Sequence, residues 1–562
     1  MLLRELAMKK WVLFQILFFF FESCAPPSSA KKDSILSEPQ KVARSRNGVV
    51  TTAHPLGTEA GITILEQGGN AVDAAVAAAY ALAVVEPSMS GIGGRAQILI
   101  HTSEGEIYGI DATTQAPSSY DHITAPKAKY GYPTIGVPGV VAGLDKALKS
   151  YGSLPREIVM GPAIKYAKEG TPILPGEVFR RRGVVNQLNE FEGTRRHYLK
   201  KDGTVHNPWE ITKQEDLAKV LQAISDEGPT PFYKGWIAER MVEDIQSNGG
   251  VLTMESLAKY EAEDSYIVRG SYRGFDLAAL WLPSYGAITI EALHIMEELP
   301  DSLFYNADWA RVIYHAISAA YLDRAGDLPI EDADRLTSKV WAQKRALETG
   351  LLSSKALPSE PSATGFPPAW TEPVGHTTHL TVVDRNGMVV ALTQTVGPTM
   401  GSKVATPGLG FIYAATLGGY LGEMKAGQRA ASHISPLIVM KDDKPILALG
   451  AAGGSRIPSA VVAITSRVID QGYSLDKALA LPRVYPLEEG IDLEWTGENG
   501  WSVQDSSYLA GLDYKVFMER LPGMFGRSNA VMLDTLTGEW IGASDPDWEG
   551  SCLLYTSDAA DE

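Results

Sequence analysis

The chain has 562 residues, of which 45% are hydrophobic and 21% charged, and its formal net charge is −17. These proportions are typical of globular domains and exclude a disordered, collagen-like or coiled-coil chain. Beyond residue 21 no apolar run approaches the ~20 residues of a spanning helix, which excludes a multi-span membrane protein. The excess of acidic side chains argues against a nucleic-acid partner, because duplex binding requires cations that neutralise phosphates.

The N-terminus has the features of an export signal. Residues 8–24 read MKKWVLFQILFFFFESC, in which Lys9 and Lys10 precede an apolar block with one polar exception. The block has the length of a signal-peptide core and is too short to span a bilayer. The serine-cysteine step at its end resembles a bacterial lipoprotein site, which predicts lipidation of Cys24. An ordinary cleaved signal peptide with an incidental cysteine is the alternative, and export to the periplasm or cell envelope is expected in either case.

The two ends of the chain are expected to lie outside the folded part. Residues 1–24 are interpreted as the signal peptide, and the Pro-, Ser- and Lys-rich residues 25–46 as a flexible tether. The segment SCLLYTSDAADE at 551–562 resembles translated sequencing-adapter sequence and is expected to be foreign. The only cysteines are Cys24 and Cys552, so no disulfide framework or cysteine-ligated metal site is predicted.

Between these ends the chain alternates helical and strand patterns. The Ala-rich stretch at 68–79 predicts a helix that is buried on nearly all sides, and the alternation at 96–110 predicts a β-hairpin. Residues 155–350 are mainly amphipathic helical stretches. Residues 355–375 contain five prolines among Ser, Thr and Gly, which is typical of an exposed irregular loop.

Strand patterns return directly after this loop. Residues 377–396 read TTHLTVVDRNGMVVALTQTV, two apolar runs around an Asn-Gly turn, and predict a hairpin. A second hairpin is predicted at 435–450, followed by Ala-Ala-Gly-Gly-Ser-Arg at 451–456 and an apolar helix. Sheets interleaved with buried helices indicate a layered architecture of the α/β or α+β kind.

Several motifs resemble those of the γ-glutamyltranspeptidase family, whose members are N-terminal-nucleophile hydrolases. The most specific are Thr-Thr-His at the start of a strand (377–379) and Gly-Gly-Ser-Arg before a helix (453–456). Supporting matches are HPLGTEAG (54–61), GGNAVDAAVA (68–77), GIGG (91–94), GVPGVVAG (136–143) and GGVLT (249–253). The resemblance implies an α+β fold, the αββα four-layer sandwich, made from one precursor that is cut into a large subunit (47–376) and a small subunit (377–550).

The chemistry of the motif can be stated from the residues. A threonine hydroxyl is a weak nucleophile unless a base is adjacent, and a free α-amine on the same residue can serve as that base. Cleavage between His376 and Thr377 would free this amine. By the resemblance, Thr377 is the nucleophile and Thr395 helps to orient its amine. The backbone N–H groups of Gly453 and Gly454 match the oxyanion hole of the family. Ordinary strand threonines are the alternative for the two hydroxyl residues.

The residues that would recognise an amino acid depart from the family pattern. The arginine that clamps the substrate carboxylate falls on Thr113, and the Asp pair that holds its amine falls on a Thr-Leu pair at 416–417. Of the paired serines, Ser432 is retained and the second is His433. Arg95 interrupts a glycine run and is a candidate replacement cation, with a structural arginine as the alternative.

We therefore expect an exported, self-processing amidohydrolase or acyltransferase that acts on a small-molecule amide or peptide. Glutathione or related γ-glutamyl amides are the default substrates by resemblance. An acylase for other amides and a non-catalytic binding protein are the alternatives. No metal, nucleotide or flavin cofactor is implied, and membrane contact is expected only through a lipid on Cys24. The altered recognition residues predict weak binding of a free glutamyl headgroup and preference for a neutral, capped or larger one.

Overall fold

The computed structural model describes residues 38–324, 328–352, 377–419, 421, 423–495, 500–519 and 523–555. Residues 1–39 and 40–562 are separate units, and every strand and helix named below belongs to the second. The signal peptide with Cys24, the Pro-rich loop and His376 lie outside the described residues, so the predictions on them stay predictions.

The strands and helices of the described residues are named in chain order. The strands are β1 (Val42–Ser45), β2 (Gly48–Thr52), β3 (Arg95–His101), β4 (Ile107–Ala112), β5 (Thr171–Pro172), β6 (Ile211–Thr212), β7 (Glu263–Asp264), β8 (Ile267–Tyr272), β9 (Phe275–Leu280), β10 (Thr378–Asp384), β11 (Val389–Thr395), β12 (Leu437–Lys441), β13 (Lys444–Ala452), β14 (Val484–Leu487), β15 (Gly490–Glu494), β16 (Val516–Glu519), β17 (Arg527–Asp534), β18 (Glu539–Ser544) and β19 (Ser551–Leu554). The helices are α1 (Pro55–Glu66), α2 (Ala71–Val85), α3 (Val140–Tyr151), α4 (Arg156–Glu169), α5 (Pro175–Gly183), α6 (Val185–Asn189), α7 (Glu192–Tyr198), α8 (Glu215–Glu227), α9 (Thr230–Tyr233), α10 (Trp236–Ser247), α11 (Met254–Ala258), α12 (Gly286–Glu297), α13 (Asn306–Asp323), α14 (Asp332–Leu336), α15 (Lys339–Glu348), α16 (Ile457–Ile469), α17 (Leu475–Ala480) and α18 (Val503–Ala510).

Two seven-stranded antiparallel sheets form the centre of the fold. The first has the order β19-β2-β10-β11-β3-β4-β7 and the second the order β1-β18-β17-β13-β12-β9-β8. Helices α1 and α2 pack on the first sheet, and α12 and α16 pack on the second. The two sheets face each other across an apolar interior that includes Val49, Leu99, Val383, Ala448 and Val531. The predicted αββα four-layer sandwich is therefore confirmed.

The predicted Ala-rich helix is observed as α2, all of whose residues are buried. It begins at a capping box, in which the Asn70 side chain accepts from the N–H groups of Val72 and Asp73 and the Asp73 carboxylate accepts from the Asn70 N–H. A turn at Gly68, with φ of +88°, separates it from α1. The helix lies against β10 and β11, which explains why small side chains are needed on every face.

The sequence patterns located the central hairpins but missed several sheet edges. The hairpins β3–β4, β10–β11 and β12–β13 are observed where they were predicted. The region 155–350, predicted to be mainly helical, also contains the hairpin β8–β9 at the edge of the second sheet. Among the described helices, none combines the length and apolarity that crossing a bilayer requires.

The structure corrects two predicted boundaries of the folded part, one at each end of the chain. The predicted tether 25–46 contains β1, whose four residues pair with β18. The segment 551–562, set apart from the fold on sequence grounds, contains β19, which pairs with β2. Cys552 is fully buried in the interior between the sheets. Both short strands pair with a neighbouring strand, so they take structure from tertiary pairing that their own sequences do not signal.

Candidate active site

Thr377 lies directly before β10 and is 3% exposed. Its Oγ1 donates a hydrogen bond to the Oγ1 of Thr395, the last residue of β11, over 3.1 Å. The same Thr395 oxygen accepts from the N–H of Gly397 at 2.9 Å. The hairpin thus brings together the two threonines that the sequence singled out, eighteen residues apart in the chain.

The backbone of Thr377 is in an unusual conformation. Its φ is +94°, in the region that favours glycine. A β-branched residue with positive φ is an outlier, and such conformations cost about 1–3 kcal/mol. The strained torsion includes the peptide nitrogen that joins Thr377 to the residue before it. Local strain is therefore present at the bond where the sequence predicts cleavage.

His379 anchors the start of β10 to the second sheet. Its Nδ1 is 2.7 Å from Thr393 Oγ1 and its Nε2 is 3.0 Å from Thr381 Oγ1. The ring packs on Gly450, where a Cβ would come within 2.4 Å of the imidazole. Burial lowers the His379 pKa to about 3, so the ring is neutral at physiological pH. Its two nitrogens are engaged by hydroxyl groups of its own sheet.

A buried ion cluster lies on the other side of β10. We define it as Glu86, Glu177, Arg180 and Arg527, each less than 5% exposed. Arg180 Nη2 is 3.2 Å from Glu86 and 3.3 Å from Glu177, and Arg527 Nη1 is 3.9 Å from Glu86. Burial raises the Glu86 pKa above its ordinary value. Arg180, Arg527 and the Thr378 hydroxyl act in the opposite direction and offset this rise only in part. The cluster joins residues from both sides of the predicted cut.

The glycine pair follows β13, which packs against β10 and β11. Arg527 of the ion cluster contacts Glu86, and Glu86 interacts with the Thr378 hydroxyl. In the pairing of β13 with β17, Arg527 is opposite Ala452. Gly453 is the next residue after Ala452. It has φ of +149°, and a Cβ there would come within 2.8 Å of the backbone that leads into β17. Only glycine fits this backbone without strain.

Gly454 continues the turn and opens a short 3-10 helix, Gly454–Arg456, that leads into α16. Its φ is +60°, again in the left-handed region. Successive residues in a turn can aim their N–H groups at one anion, which is what an oxyanion hole requires. The two predicted oxyanion glycines thus form the turn after β13, a few residues beyond Gly450, whose backbone lies against the His379 ring of β10.

Arg95 lies on the interior face of the first sheet, the face of Thr395. It is the first residue of β3 and lies opposite Thr395 in the antiparallel register. Side chains of directly opposite residues project from the same face of a sheet, so the Arg95 guanidinium group shares the face of the Thr395 hydroxyl. The residue is 3% exposed. Its position is that of a buried cation on the face of Thr395, which contacts Thr377.

Ser432 and His433 lie in the segment before β12. The Ser432 N–H donates to the Pro283 oxygen at 2.9 Å, and its Oγ accepts from the Ile434 N–H at 3.3 Å. The His433 ring is 4.6 Å from the Tyr285 ring. Burial, followed by the charges of Arg324 and Arg95, lowers the His433 pKa to about 3. His433 is therefore neutral under physiological conditions.

The residue that replaces the family's carboxylate clamp does not serve the site. Thr113 is fully buried, and its Oγ1 donates to the Ala430 oxygen at 2.9 Å. Its own carbonyl oxygen accepts from the Tyr260 hydroxyl. Thr416 and Leu417, at the positions of the family's acidic pair, are also buried and carry no charge. None of these three positions therefore offers a charged group to a substrate.

Sequence reasoning missed an aromatic wall that begins at Ser455, next to the Gly453–Gly454 turn. We name Tyr485, Tyr321 and Tyr285 the tyrosine wall. The Tyr485 hydroxyl donates to Ser455 Oγ at 2.8 Å, and the Tyr321 hydroxyl donates to the Ser455 oxygen at 2.5 Å. Tyr285 meets Tyr321 edge-on with ring centroids 6.1 Å apart, and the Arg324 guanidinium lies 5.0 Å from the Tyr285 ring. No local pattern marks these residues, because they come from separate elements.

Side chains that could ligate a metal are scattered over the fold. Among the residues that the structure describes, no group of three or more His, Cys, Asp or Glu side chains is arranged to hold a metal ion.

An αββα sandwich with a buried threonine directly before a central strand is the architecture of the N-terminal-nucleophile hydrolases. The family follows from sequence comparison. The profile of the γ-glutamyltranspeptidase family matches residues 57–555, so the chain belongs to that family.

Relatives include hydrolases and acylases. The chain is 30% identical to the glutathione hydrolase proenzyme of Escherichia coli strain K12, over 94% of this chain and 95% of that protein. It is also 30% identical to the acylase ACY 1 proenzyme of Pseudomonas sp. strain SE83, over 89% and 92% of the two chains. The crystal structure of cephalosporin acylase from Bacillus halodurans superposes with a TM-score of 0.83 at 25% identity, over 96% of this chain and 100% of that chain. The protein is therefore an enzyme of this family, a γ-glutamyltranspeptidase-like or acylase N-terminal-nucleophile hydrolase.

Proposed function

We propose that the protein is a self-processing amidohydrolase and acyltransferase in which Thr377 becomes the N-terminal nucleophile. The single observation that carries the proposal is the 3.1 Å contact of its hydroxyl with Thr395 at the start of β10. The nearby Gly453–Gly454 turn and the family membership support it. The products of processing would be a large subunit (47–376) and a small subunit starting at Thr377.

Self-cleavage would use the threonine hydroxyl. Its oxygen attacks the carbonyl carbon of His376, the C–N bond to Thr377 breaks, and the departing nitrogen takes the hydroxyl proton. The resulting ester is hydrolysed by water, which leaves a carboxylate on His376 and a free amine and hydroxyl on Thr377. The positive φ at Thr377 favours this step, because the torsion loses its constraint when the peptide bond is cut.

Substrate turnover would then use the hydroxyl and the newly freed amine of Thr377. The Thr377 amine accepts the hydroxyl proton as the oxygen attacks the substrate amide, and the N–H groups of Gly453 and Gly454 stabilise the oxyanion. Each such donor is worth about 3–4 kcal/mol in comparable sites. The leaving amine takes the proton, and an acyl-enzyme ester remains. Water releases a free acid from it, and an acceptor amine releases a new amide.

For the substrate we propose amides of small acyl groups, with glutathione and other γ-glutamyl amides accepted weakly. The buried, uncharged Thr113, Thr416 and Leu417 favour the second candidate, an acylase for other amides. Relatives of both kinds match this chain equally in identity.

We expect poorly saturating kinetics with γ-glutamyl p-nitroanilide and with glutathione. The free glutamyl headgroup loses a bidentate, charge-assisted clamp and an acidic partner for its amine, each of which contributes a strong hydrogen bond. Initial rates should rise almost linearly through the ~1 mM that bounds most KM values. The Thr377→Ala variant is the blank for each substrate. Tight and fast turnover of glutathione would contradict this interpretation of the recognition residues.

Export and lipidation at Cys24 form a separate part of the proposal, which rests on Lys9, Lys10 and the apolar block that follows them. Cells grown with labelled palmitate are expected to label the wild-type protein in the membrane fraction. The Cys24→Ser variant should be exported without label. A cleaved, exported and unlabelled wild-type protein would contradict lipidation and leave the ordinary signal peptide.

A further inference from the structure

A surface cavity of about 380 Å³ lies between three helices that precede Thr377 in the chain and one turn that follows it. Its lining residues are Arg196 of α7, Asp216 and Lys219 of α8, Trp236 and Arg240 of α10, and Pro407 and Gly408 of the turn. A volume of this size is in the range of sites for small organic ligands. The cavity shares no residue with the candidate active site, so what it binds is independent of the proposed function.

Hydrogen bonds hold the walls of this cavity at a fixed spacing. The Tyr198 hydroxyl, at the end of α7, donates to the Gly410 oxygen at 2.9 Å. Thr194, on the same helix, donates through its Oγ1 to the Lys403 oxygen at 2.7 Å. The two bonds lie on either side of Pro407–Gly408 in the chain, so they fix the turn to α7. A preformed site loses less conformational freedom when a ligand binds.

The lining has an excess of positive charge. Its one carboxylate, Asp216, lies 3.1 Å from Lys219 and 3.5 Å from Arg196. These two cations are 70% and 62% exposed, and exposed pairs of this kind are weak, so both cations stay accessible to a ligand. Among the residues that the structure describes, no ion pair engages Arg240. Three cations and one carboxylate leave two positive charges, in a chain whose net charge is −17.

An aromatic surface lies beside these charges. Trp236 and Arg240 are four residues apart on α10, so they share one face of the helix. The indole is 39% exposed and offers a flat apolar face. The Arg240 guanidinium group lies against Gly408, where a Cβ would come within 2.4 Å of its Nη1. A guanidinium group binds phosphate oxygens through two parallel N–H groups, which suits this position to a phosphate.

We propose that this cavity binds a phosphate monoester carried on a ring. The three cations bind the phosphate group, and the Trp236 indole packs on the ring. At neutral pH a phosphate monoester carries a charge of about −1.5 to −2, which matches the two excess positive charges, whereas a sulfate monoester or a single carboxylate carries only one. A free ester and the headgroup of a glycolipid present this same chemistry.

Three probes separate the contributions of charge and ring. Phenyl phosphate has both, phenyl sulfate retains the ring with a single charge, and inorganic phosphate retains the dianion without a ring. Isothermal titration calorimetry at about pH 8, where the second phosphate proton is lost, and at constant ionic strength compares them. For the wild-type protein we expect phenyl phosphate to bind about fivefold or more tightly than either of the others.

The variants assign the two contributions to residues. Arg240→Gln should abolish the preference over phenyl sulfate, and Trp236→Leu should abolish the preference over inorganic phosphate. Asp216→Asn removes the one carboxylate of the lining, so it should bind phenyl phosphate about threefold more tightly. Arg44→Gln is the matched control, because that guanidinium group is 50% exposed and faces Asp534 at 3.9 Å on β1, which is not part of the cavity.

Thermal unfolding of the wild type tests the proposal without any variant. A ligand that binds the folded state raises Tm, so phenyl phosphate should raise it more than phenyl sulfate at the same concentration and ionic strength. Equal binding of the three probes, or equal affinities in Arg240→Gln and Arg44→Gln, would overturn the site. The test reads neither self-cleavage nor amide turnover, so its failure would leave the proposed function intact.

Vesicle flotation distinguishes the two sources of such an ester. The Cys24→Ser protein, which lacks a lipid of its own, is mixed with phosphatidylcholine vesicles that contain lipid A, whose glucosamine ring carries a phosphate monoester. Flotation that is lost in Arg240→Gln and absent with phosphatidylglycerol in place of lipid A would support the site and identify a membrane headgroup. Binding of phenyl phosphate without flotation would support the site and identify a free ester.

Discussion

Replacing Thr377 by alanine is expected to leave the chain in one piece and to lower turnover of every amide by about 10⁴-fold or more. The hydroxyl that the variant lacks is the one that contacts Thr395, and both self-cleavage and acyl transfer need it. The wild type should run as two fragments on a denaturing gel. The smaller should begin Thr-Thr-His-Leu and hold 562 − 376 = 186 residues before any trimming.

The conservative variant Thr377→Ser distinguishes the chemical role of the hydroxyl from an effect of the substitution on folding. It retains the nucleophilic oxygen and removes a methyl group, so it should still cut and should retain activity. N-terminal sequencing of the small fragment locates the bond in both proteins. Cleavage before residue 377 in the alanine variant, or a wild-type fragment with a different first residue, would show that another group makes the cut.

Replacing Glu177 by alanine is expected to lower the free energy of unfolding by about 3–5 kcal/mol. The carboxylate binds Arg181 at 2.7 Å, Arg180 at 3.3 Å and the Ser88 hydroxyl at 2.5 Å, and all of these residues are buried. Removing one partner leaves buried guanidinium charge without compensation, which costs far more than an exposed pair is worth. Urea titration of the variant and the wild type measures the difference.

The matched control is Glu255→Ala. This carboxylate pairs with Lys259 at 2.6 Å, but its side chain is 65% exposed, so the loss of stability should be far smaller than for Glu177→Ala. Equal losses in the two variants would contradict a special role for the ion cluster.

The lowered pKa of Glu177 predicts how the loss of stability in Glu177→Ala changes with pH. Burial raises the Glu177 pKa, but Arg181, Arg180 and Ser88 outweigh it and lower the pKa below 4.5. A carboxylate with a lowered pKa stabilises the fold above its ordinary pKa and loses this effect in acid. The stability gap between wild type and Glu177→Ala should therefore narrow as the pH falls below 4.5.

Local sequence patterns were enough for the centre of the fold. The β10–β11 and β12–β13 hairpins and the buried helix α2 were predicted because residue periodicity and turn chemistry act over a few neighbours. The same holds for Thr377, Gly453 and Gly454, whose motifs are contiguous. These features can be predicted without knowing which residues pack against them.

The edges of the sheets were decided by tertiary pairing. The strands β1, β8, β9 and β19 carry weak patterns of their own and exist because a neighbouring strand offers free backbone groups. Cys552 illustrates the point, since a residue set aside on sequence grounds is buried in the interior between the sheets.

What the sequence by itself determined is the class of the enzyme and the place of its candidate nucleophile, because both depend on contiguous motifs. The surroundings of that nucleophile depended on the tertiary structure. Tyr285, Tyr321 and His433 are far apart in the chain, and their rings meet only because the fold brings α13 and the segments before α12 and β12 together. Thr113 also depends on the tertiary structure. It lies at the sequence position of the family's arginine, but its hydroxyl donates to the backbone oxygen of Ala430. Contacts between distant residues come from packing of the whole fold, and no local pattern records them.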